Sequence, residues 1–221
     1  MLGIVLALDY EIDNVIFDNF QFETLNNQKF YFNDDVVITF SGVGKVNATI
    51  AITNLINNFN IDQILNIGSC GSANSKILIK DVILVNKTQY GDVDVSIDKK
   101  YQINQIPYEP KTFSASQKFN NKIIKILNKL NINYKIGDFM TVDSFVTKEN
   151  YLKFNEVLLD NILGIDMELT AIAQTCYHYK INFSAIKIVS DNINSINNHD
   201  EFENNINEIS KLIKKIVLNF L

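Results

Sequence analysis

Short apolar runs in this chain repeatedly stop at a glycine or an acid, and that pattern constrains the fold more than any other feature. Such runs end at Asp9-Tyr10-Glu11, Ser41-Gly42-Val43-Gly44, Gly68-Ser69-Cys70-Gly71, Asp143-Ser144-Phe145-Val146, Asp166-Met167-Glu168 and Ser190-Asp191. Between them lie stretches with the apolar period of helices, among them Lys45 to Phe59, Ser116 to Asn131 and Glu201 to Leu221. Strands that alternate with crossover helices imply a mixed, largely parallel central sheet covered on both faces. The expected fold class is α/β, a single-domain three-layer αβα arrangement over residues 1–221. In open sheets of this kind ligands bind beyond the carboxyl ends of the strands, so the polar strand ends also mark the candidate site.

The individual elements read as follows. Residues 1–8 form a strand, and Lys29 to Asn33 pairs with Val36 to Ser41 across a turn at Asn33-Asp34-Asp35. Ser41 to Gly44 is a tight turn. Ile64 to Ile67 is a buried strand that ends at Gly68, and Asp81 to Asn86 and Tyr134 to Val142 are further strands. Residues 147–159 read as helical, and a strand around Leu163–Asp166 feeds a helix from Met167 to Tyr179. Phe183–Val189 is a strand before an Asn-rich polar loop. Residues 96–113 hold both prolines, Pro107 and Pro110, and read as a long loop of the functional kind.

Composition narrows the function classes. A net charge of −5 argues against a nucleic-acid surface, which needs a basic face. No apolar stretch approaches the roughly twenty residues that span a bilayer. The N-terminal run is too short for a signal peptide and has no basic leader, so a cytoplasmic protein is expected. Cys70 and Cys176 stand without His or Cys at ligand spacing; neither a disulfide nor a metal site is expected, and no cofactor. Cys176 reads as core, and Cys70 as a small packed thiol in a glycine-rich turn. All twenty basic residues are lysine.

Taken singly, the acids at strand ends have ordinary explanations. The helix dipole favours an acid such as Glu168 in a first turn, and a Ser-Asp pair after a strand can cap the next element. Gly42-Val43-Gly44-Lys45 lacks the spacing and Ser/Thr of a phosphate-binding loop, and the third glycine of a dinucleotide fingerprint. A structural turn is the better reading there, and a dinucleotide-binding module is disfavoured.

The full spelling changes this. Met167-Glu168-x-x-Ala171-Ile172-Ala173, with the later strand ending Ile188-Val189-Ser190-Asp191, resembles the purine nucleoside phosphorylase/nucleosidase superfamily, and more narrowly the bacterial 5′-methylthioadenosine/S-adenosylhomocysteine nucleosidases. The resemblance spans the chain with segments in the same order, and it implies a nucleoside phosphorylase-like fold without a cofactor. It places Glu11 on the carboxylate that activates water, with Ser69 near the water site. Phe145 and Val146 match the pair that receives adenine, by ring stacking and main-chain hydrogen bonds. Met167 and Glu168 match the residues at the ribose, Glu168 holding the 2′- and 3′-hydroxyls. Asp191 falls on the acid that engages the purine N7, with Ser190 beside it. The loop keeps Tyr101 and Gln105-Ile106-Pro107; in the family it reaches across a homodimer interface to the neighbour's 5′ pocket. Departures are Lys187 for an arginine, Asp9 and Tyr10 for glutamates, Asp98 for an aromatic, and His199 for a phenylalanine near the 5′ substituent. Neither His178 nor His199 reads as catalytic.

These implied roles make chemical sense. Adenine leaves poorly as an anion, so cleavage of C1′–N9 wants a proton at N7, and Asp191 needs a raised pKa from a desolvated pocket. Glu11 must stay ionised to take a proton from water, which is a pairing of carboxylates with opposite roles. The sugar becomes oxocarbenium-like, as in glycoside hydrolysis, and water attacking opposite the base inverts the centre. Phosphorylases of the superfamily hold phosphate with arginines, whose forked donors suit its oxygens. This chain has none, so water is the expected co-substrate. The alternatives are a phosphate-using nucleoside phosphorylase and a catalytically silent nucleoside-binding protein.

Overall fold

A computed structural model of the protein describes residues 1–18, 20–74, 76–150, 162–193 and 195–221. Its strands are β1 (Leu2–Leu6), β2 (Gln21–Leu25), β3 (Gln28–Phe32), β4 (Val36–Phe40), β5 (Gln63–Ser72), β6 (Val82–Tyr90), β7 (Phe113–Ser114), β8 (Tyr134–Thr141), β9 (Ile162–Asp166) and β10 (Asn182–Asn192). The helices among the described residues are α1 (Lys45–Asn58), α2 (Gln117–Lys129), α3 (Leu169–Tyr179) and α4 (Asn198–Val217). Local chemistry sets several boundaries. Ser116 caps α2 by accepting the Phe119 N–H at 3.4 Å, and Lys180 ends α3 in the left-handed conformation.

The strands form one mixed sheet in the order β10-β6-β8-β9-β5-β1-β4-β3-β2, with β7 on the side of β6. The two longest ladders are parallel, β5 with β10 above all and then β6 with β8, and antiparallel pairing joins β2, β3 and β4 and closes β10 onto β6. Because β10 also pairs with β5, the strands β5, β10, β6, β8 and β9 close into a ring, and β1, β4, β3 and β2 extend from it as a tongue. The sequence suggests an open sheet, and closure is the main departure. Register shifts at Val189/Asp191, Val85/Thr88 and Asp138/Phe139 accompany it. Bulges of this kind bend a strand and tighten its twist, which a small ring needs.

Helices cover both faces. α1 and α3 bury Ala48, Ile52, Leu55, Ile172 and Cys176 against one apolar cluster. α2 and α4 bury Phe119, Ile123, Ile209 and Ile213 against another. The three layers expected from the sequence are present, and alternation lets a central strand feed both clusters, as Val5 against Ile4 and Leu6 of β1 shows.

Other boundaries shift. β5 does not turn at Gly68 but runs through it to Ser72, and β10 continues past Val189 to include Ser190 and Asp191. β6 likewise extends to Tyr90, and α4 starts at Asn198. β2 is absent from the sequence reading because four of its five residues are exposed and show no alternation. Its turn does carry a signal: Asn26 and Asn27 both adopt positive φ, the hallmark of a tight hairpin. The expected helix over 147–159 lies outside the described residues from 151 onward.

Candidate active site

The strand ends converge on a cavity of about 240 Å³. Glu11, Ser69, Phe145, Val146, Met167, Glu168, Ser190 and Asp191 all line it. Tyr101 and Pro107 do not. They sit in the stretch between β6 and β7, where Tyr101 packs edge-on against Tyr108 at 6.0 Å.

Glu11 ends a 3-10 turn, Asp9–Glu11, that follows β1, and it is 2 % exposed. Four donors face its two oxygens. Oε2 accepts the N–H groups of Ala7 (2.9 Å) and Leu8 (3.1 Å), and Oε1 accepts the N–H and the hydroxyl of Ser69, both at 2.7 Å. This is the hydrogen-bond complement of a carboxylate, which only accepts. Gly68 makes it possible, since a Cβ there would lie 2.9 Å from Glu11 Oε1.

Asp191 is also 2 % exposed. The register shift between Val189 and Asp191 brings Ser190 and Asp191 both to the cavity, although neighbours in a regular strand point to opposite faces. Ser190 Oγ lies 2.7 Å from Asp191 Oδ1 and 3.0 Å from the Cys70 carbonyl. Asn198 Nδ2 donates to Asp191 Oδ2 at 3.2 Å. Burial pushes the Asp191 pKa up, against the two hydrogen bonds that favour the carboxylate.

Glu168 precedes α3, but its side chain does not cap that helix. Asp166 does so instead, accepting the Leu169 N–H at 3.1 Å. The Glu168 carboxylate reaches across to the start of α1 and accepts the N–H of Gly44 at 2.8 Å, where φ is +97°. Its pKa is pushed up to about 7, first by burial and then by Asp166, with Lys187 and the Gly44 N–H opposing. Lys187 is 2 % exposed and pairs with Asp166 at 2.6 Å. Burial works against its charge, yet Asp166 and Glu168 outweigh this and hold its pKa above the ordinary lysine value.

An aromatic wall completes the cavity. The Phe145 ring meets His199 edge-on at 5.9 Å and Phe202 at 6.4 Å. Cys70 and Cys176 are both buried, Cys176 in the core as expected; Cys70 lines the cavity, and burial pushes its pKa well up. Asn198 and Phe202 escape a reading of the sequence, because both belong to a polar stretch with no motif of its own. Lys187 is legible only as a substitution for arginine. Among the described residues no three His, Cys, Asp or Glu side chains gather as metal ligands.

A ring-closed α/β sheet whose strand ends gather four buried carboxylates, Glu11, Asp166, Glu168 and Asp191, beside an aromatic wall defines an enzyme-like small-molecule site. A sequence profile described as the phosphorylase superfamily matches residues 2–221. The 5′-methylthioadenosine/S-adenosylhomocysteine nucleosidase of Buchnera aphidicola is 34 % identical over 226 residues, covering 98 % of this chain and 95 % of its own. That of Staphylococcus carnosus is 34 % identical over 229 residues, covering 100 % and 99 %. The crystal structure of the Colwellia psychrerythraea nucleosidase in complex with adenine superposes with a TM-score of 0.90 at 28 % identity, covering 99 % of this chain and 93 % of that one. The chain belongs to the phosphorylase superfamily and, within it, to the 5′-methylthioadenosine/S-adenosylhomocysteine nucleosidases.

Proposed function

We propose that this protein hydrolyses the N-ribosidic bond of 5′-methylthioadenosine, S-adenosylhomocysteine and related 5′-substituted adenosines, releasing adenine and the 5′-substituted ribose. The observation that carries the reading is the pair of carboxylates in one cavity with opposite surroundings. Glu11 is met by four donors, whereas burial pushes the Asp191 pKa up. Asp191 gives its proton to N7 as the C1′–N9 bond breaks, so the base leaves as neutral adenine. Glu11 takes a proton from water, whose oxygen bonds to C1′. Ser69 orients that water and the carboxylate together. Glu168 accepts hydrogen bonds from the 2′- and 3′-hydroxyls and favours the positive charge that develops on the sugar. Met167 packs under the ribose, Phe145 stacks on the base, and the Val146 main chain meets its edge.

Water is favoured over phosphate by charge. Lys187 is the sole lysine among the described cavity residues, and Asp166 already neutralises it. Lys45, at the start of α1, pairs with Asp92 at 2.5 Å and Asp143 at 3.5 Å. Adenine release from the 5′-substituted adenosines, with and without phosphate, tests the proposal. Equal turnover in both is expected, and a strict phosphate requirement would overturn it.

The chain acts as one domain and as a homodimer in the cytoplasm. Ile97 is 99 % exposed and Tyr108 94 %, a load that a solvated loop does not need. Exposed Val46 and Ile50 lie one turn apart on α1, and exposed Val43 continues that row to the cavity. A two-fold partner covering these surfaces brings Tyr101 and Pro107 to the neighbouring cavity. Among the described residues no helix is long and apolar enough to cross a membrane.

A further inference from the structure

Asn198 is the one buried residue of the stretch 195–200, at 3 % exposure, where His199 and Asp200 beside it face solvent. Its amide nitrogen donates twice, to the Val146 carbonyl at 2.8 Å and to Asp191 Oδ2 at 3.2 Å. An amide nitrogen has two hydrogens, so both bonds can be complete at once. Ser190 differs. Its hydroxyl has one hydrogen and two acceptors within reach, Asp191 Oδ1 and the Cys70 carbonyl. Asn198 is therefore the committed donor to Asp191, and Ser190 the movable one.

We propose that Asn198 is a positioning residue for the acid: its amide holds Asp191 Oδ2 in both protonation states, so that the transferable proton is carried on Oδ1, beside Ser190. In the acid form the Ser190 hydroxyl donates to the Cys70 carbonyl, leaving Oδ1 free to hold its proton and pass it to the base. Once that proton has moved to N7, the hydroxyl turns and donates to Oδ1, and the carboxylate keeps one donor on each oxygen. No proton is created or lost beyond the one delivered. The same amide ties the Val146 peptide to the acid, so the base edge and the proton donor share one anchor. This rests on the reading of Asp191 as the acid. The other ionisable groups that act on Asp191 are Glu201 and His199 on α4, Glu201 raising its pKa and His199 lowering it, and Cys70 lies beside it on β5.

The test is the pH profile of kcat for adenine release in Asn198→Leu, which keeps the volume and loses the donor, and in Asn198→Asp, which sets an acceptor against two acceptors. A donor to the carboxylate favours its ionised form, so its loss raises the Asp191 pKa and moves the alkaline limb to higher pH. The expected shift is about one pH unit in N198L and more in N198D, with the plateau about tenfold lower in each. A filler role alone would lower melting temperature or plateau and leave the limb in place. An unmoved limb in folded N198L overturns the proposal, and if N198L does not fold, an unmoved limb in N198D does so. D191N separates the two readings. Turnover retained in D191N removes Asp191 as the acid and this inference with it, whereas loss of turnover in D191N with an unmoved limb in the Asn198 variants refutes the Asn198 role alone.

Discussion

Glu11→Gln is the most informative single substitution, because the surroundings of Glu11 make this near-isosteric change unequal at its two ends. A glutamine must turn its NH2 toward either Ala7 and Leu8 or Ser69. At the first end two backbone N–H groups would face the amide nitrogen with nothing able to adjust. At the second the Ser69 hydroxyl can turn and accept, and only the Ser69 N–H, 2.7 Å from Oε1 in the native protein, is left opposed. The second orientation wins. One buried donor without a partner costs about 1–3 kcal/mol. The bonds that remain lose their charge assistance, which weakens them by roughly half and adds about 1 kcal/mol. For a chain of this length about 3 kcal/mol lowers Tm by roughly 6–12 °C. The variant should thus melt well below the wild type, stay folded at 25 °C, and lose adenine release by a hundredfold or more, the usual scale of a general base. It should still bind nucleoside, because Glu11 handles water and not the base. Thermal denaturation, calorimetry with a substrate analogue and the adenine assay read out the three parts. An unchanged Tm would refute the hydrogen-bond argument, and near-native turnover would remove Glu11 from the reaction.

Asp191→Asn should lower adenine release by roughly a hundred- to ten-thousandfold with the fold intact, since an amide cannot deliver the proton; wild-type rates in that variant would exclude the role. Glu168, with a pKa pushed up to about 7, should ionise as pH rises through neutrality, so analogue affinity should strengthen from pH 6 to 8 and Glu168→Gln should flatten the profile. The same group binds its proton more tightly in the folded chain. Its stabilising effect is therefore full below the unfolded carboxylate range and lost as pH approaches 7, a slope that chemical denaturation should find reduced in Glu168→Gln. Light scattering should give a dimer, and Ile97→Asp with Tyr108→Asp should give monomers of reduced activity; a fully active monomer at micromolar concentration would rule the dimer out.

The lining of the candidate site is legible in the sequence because its carboxylates stand at the ends of apolar runs, and the topology gathers strand ends. The αβα layering is legible for a related reason: α2 and α4 carry long apolar stripes. Ring closure is not, because it depends on bulges in β6, β9 and β10, and in strands buried on both faces the apolar run is nearly continuous, so the phase shift of a bulge does not show. Gly68 illustrates the same limit. Its sequence signal reads as a turn, yet the residue lies within β5, and its missing side chain makes room for Glu11. Asn198 is hidden for another reason. One asparagine among several in a polar stretch is distinguished only by the direction its side chain takes, which the packing of α4 against β10 decides.

The place of β10 in the ring has a consequence for how the chain is made. β5 and β6 follow one another in sequence, but β10 lies between them, 110 residues after β5 by its last residue and the first of β10. During synthesis the ribosome therefore releases two neighbouring strands that must not zip together, with a slot held open for a partner not yet translated. Such long-range pairing is intrinsically slow. Glu11 emerges among the first residues and Asp191 near the last, so the cavity that both line is not complete until synthesis is almost finished. A nascent chain stalled before residue 182 would expose two unsatisfied strand edges, the kind of surface on which chaperones act and aggregates start.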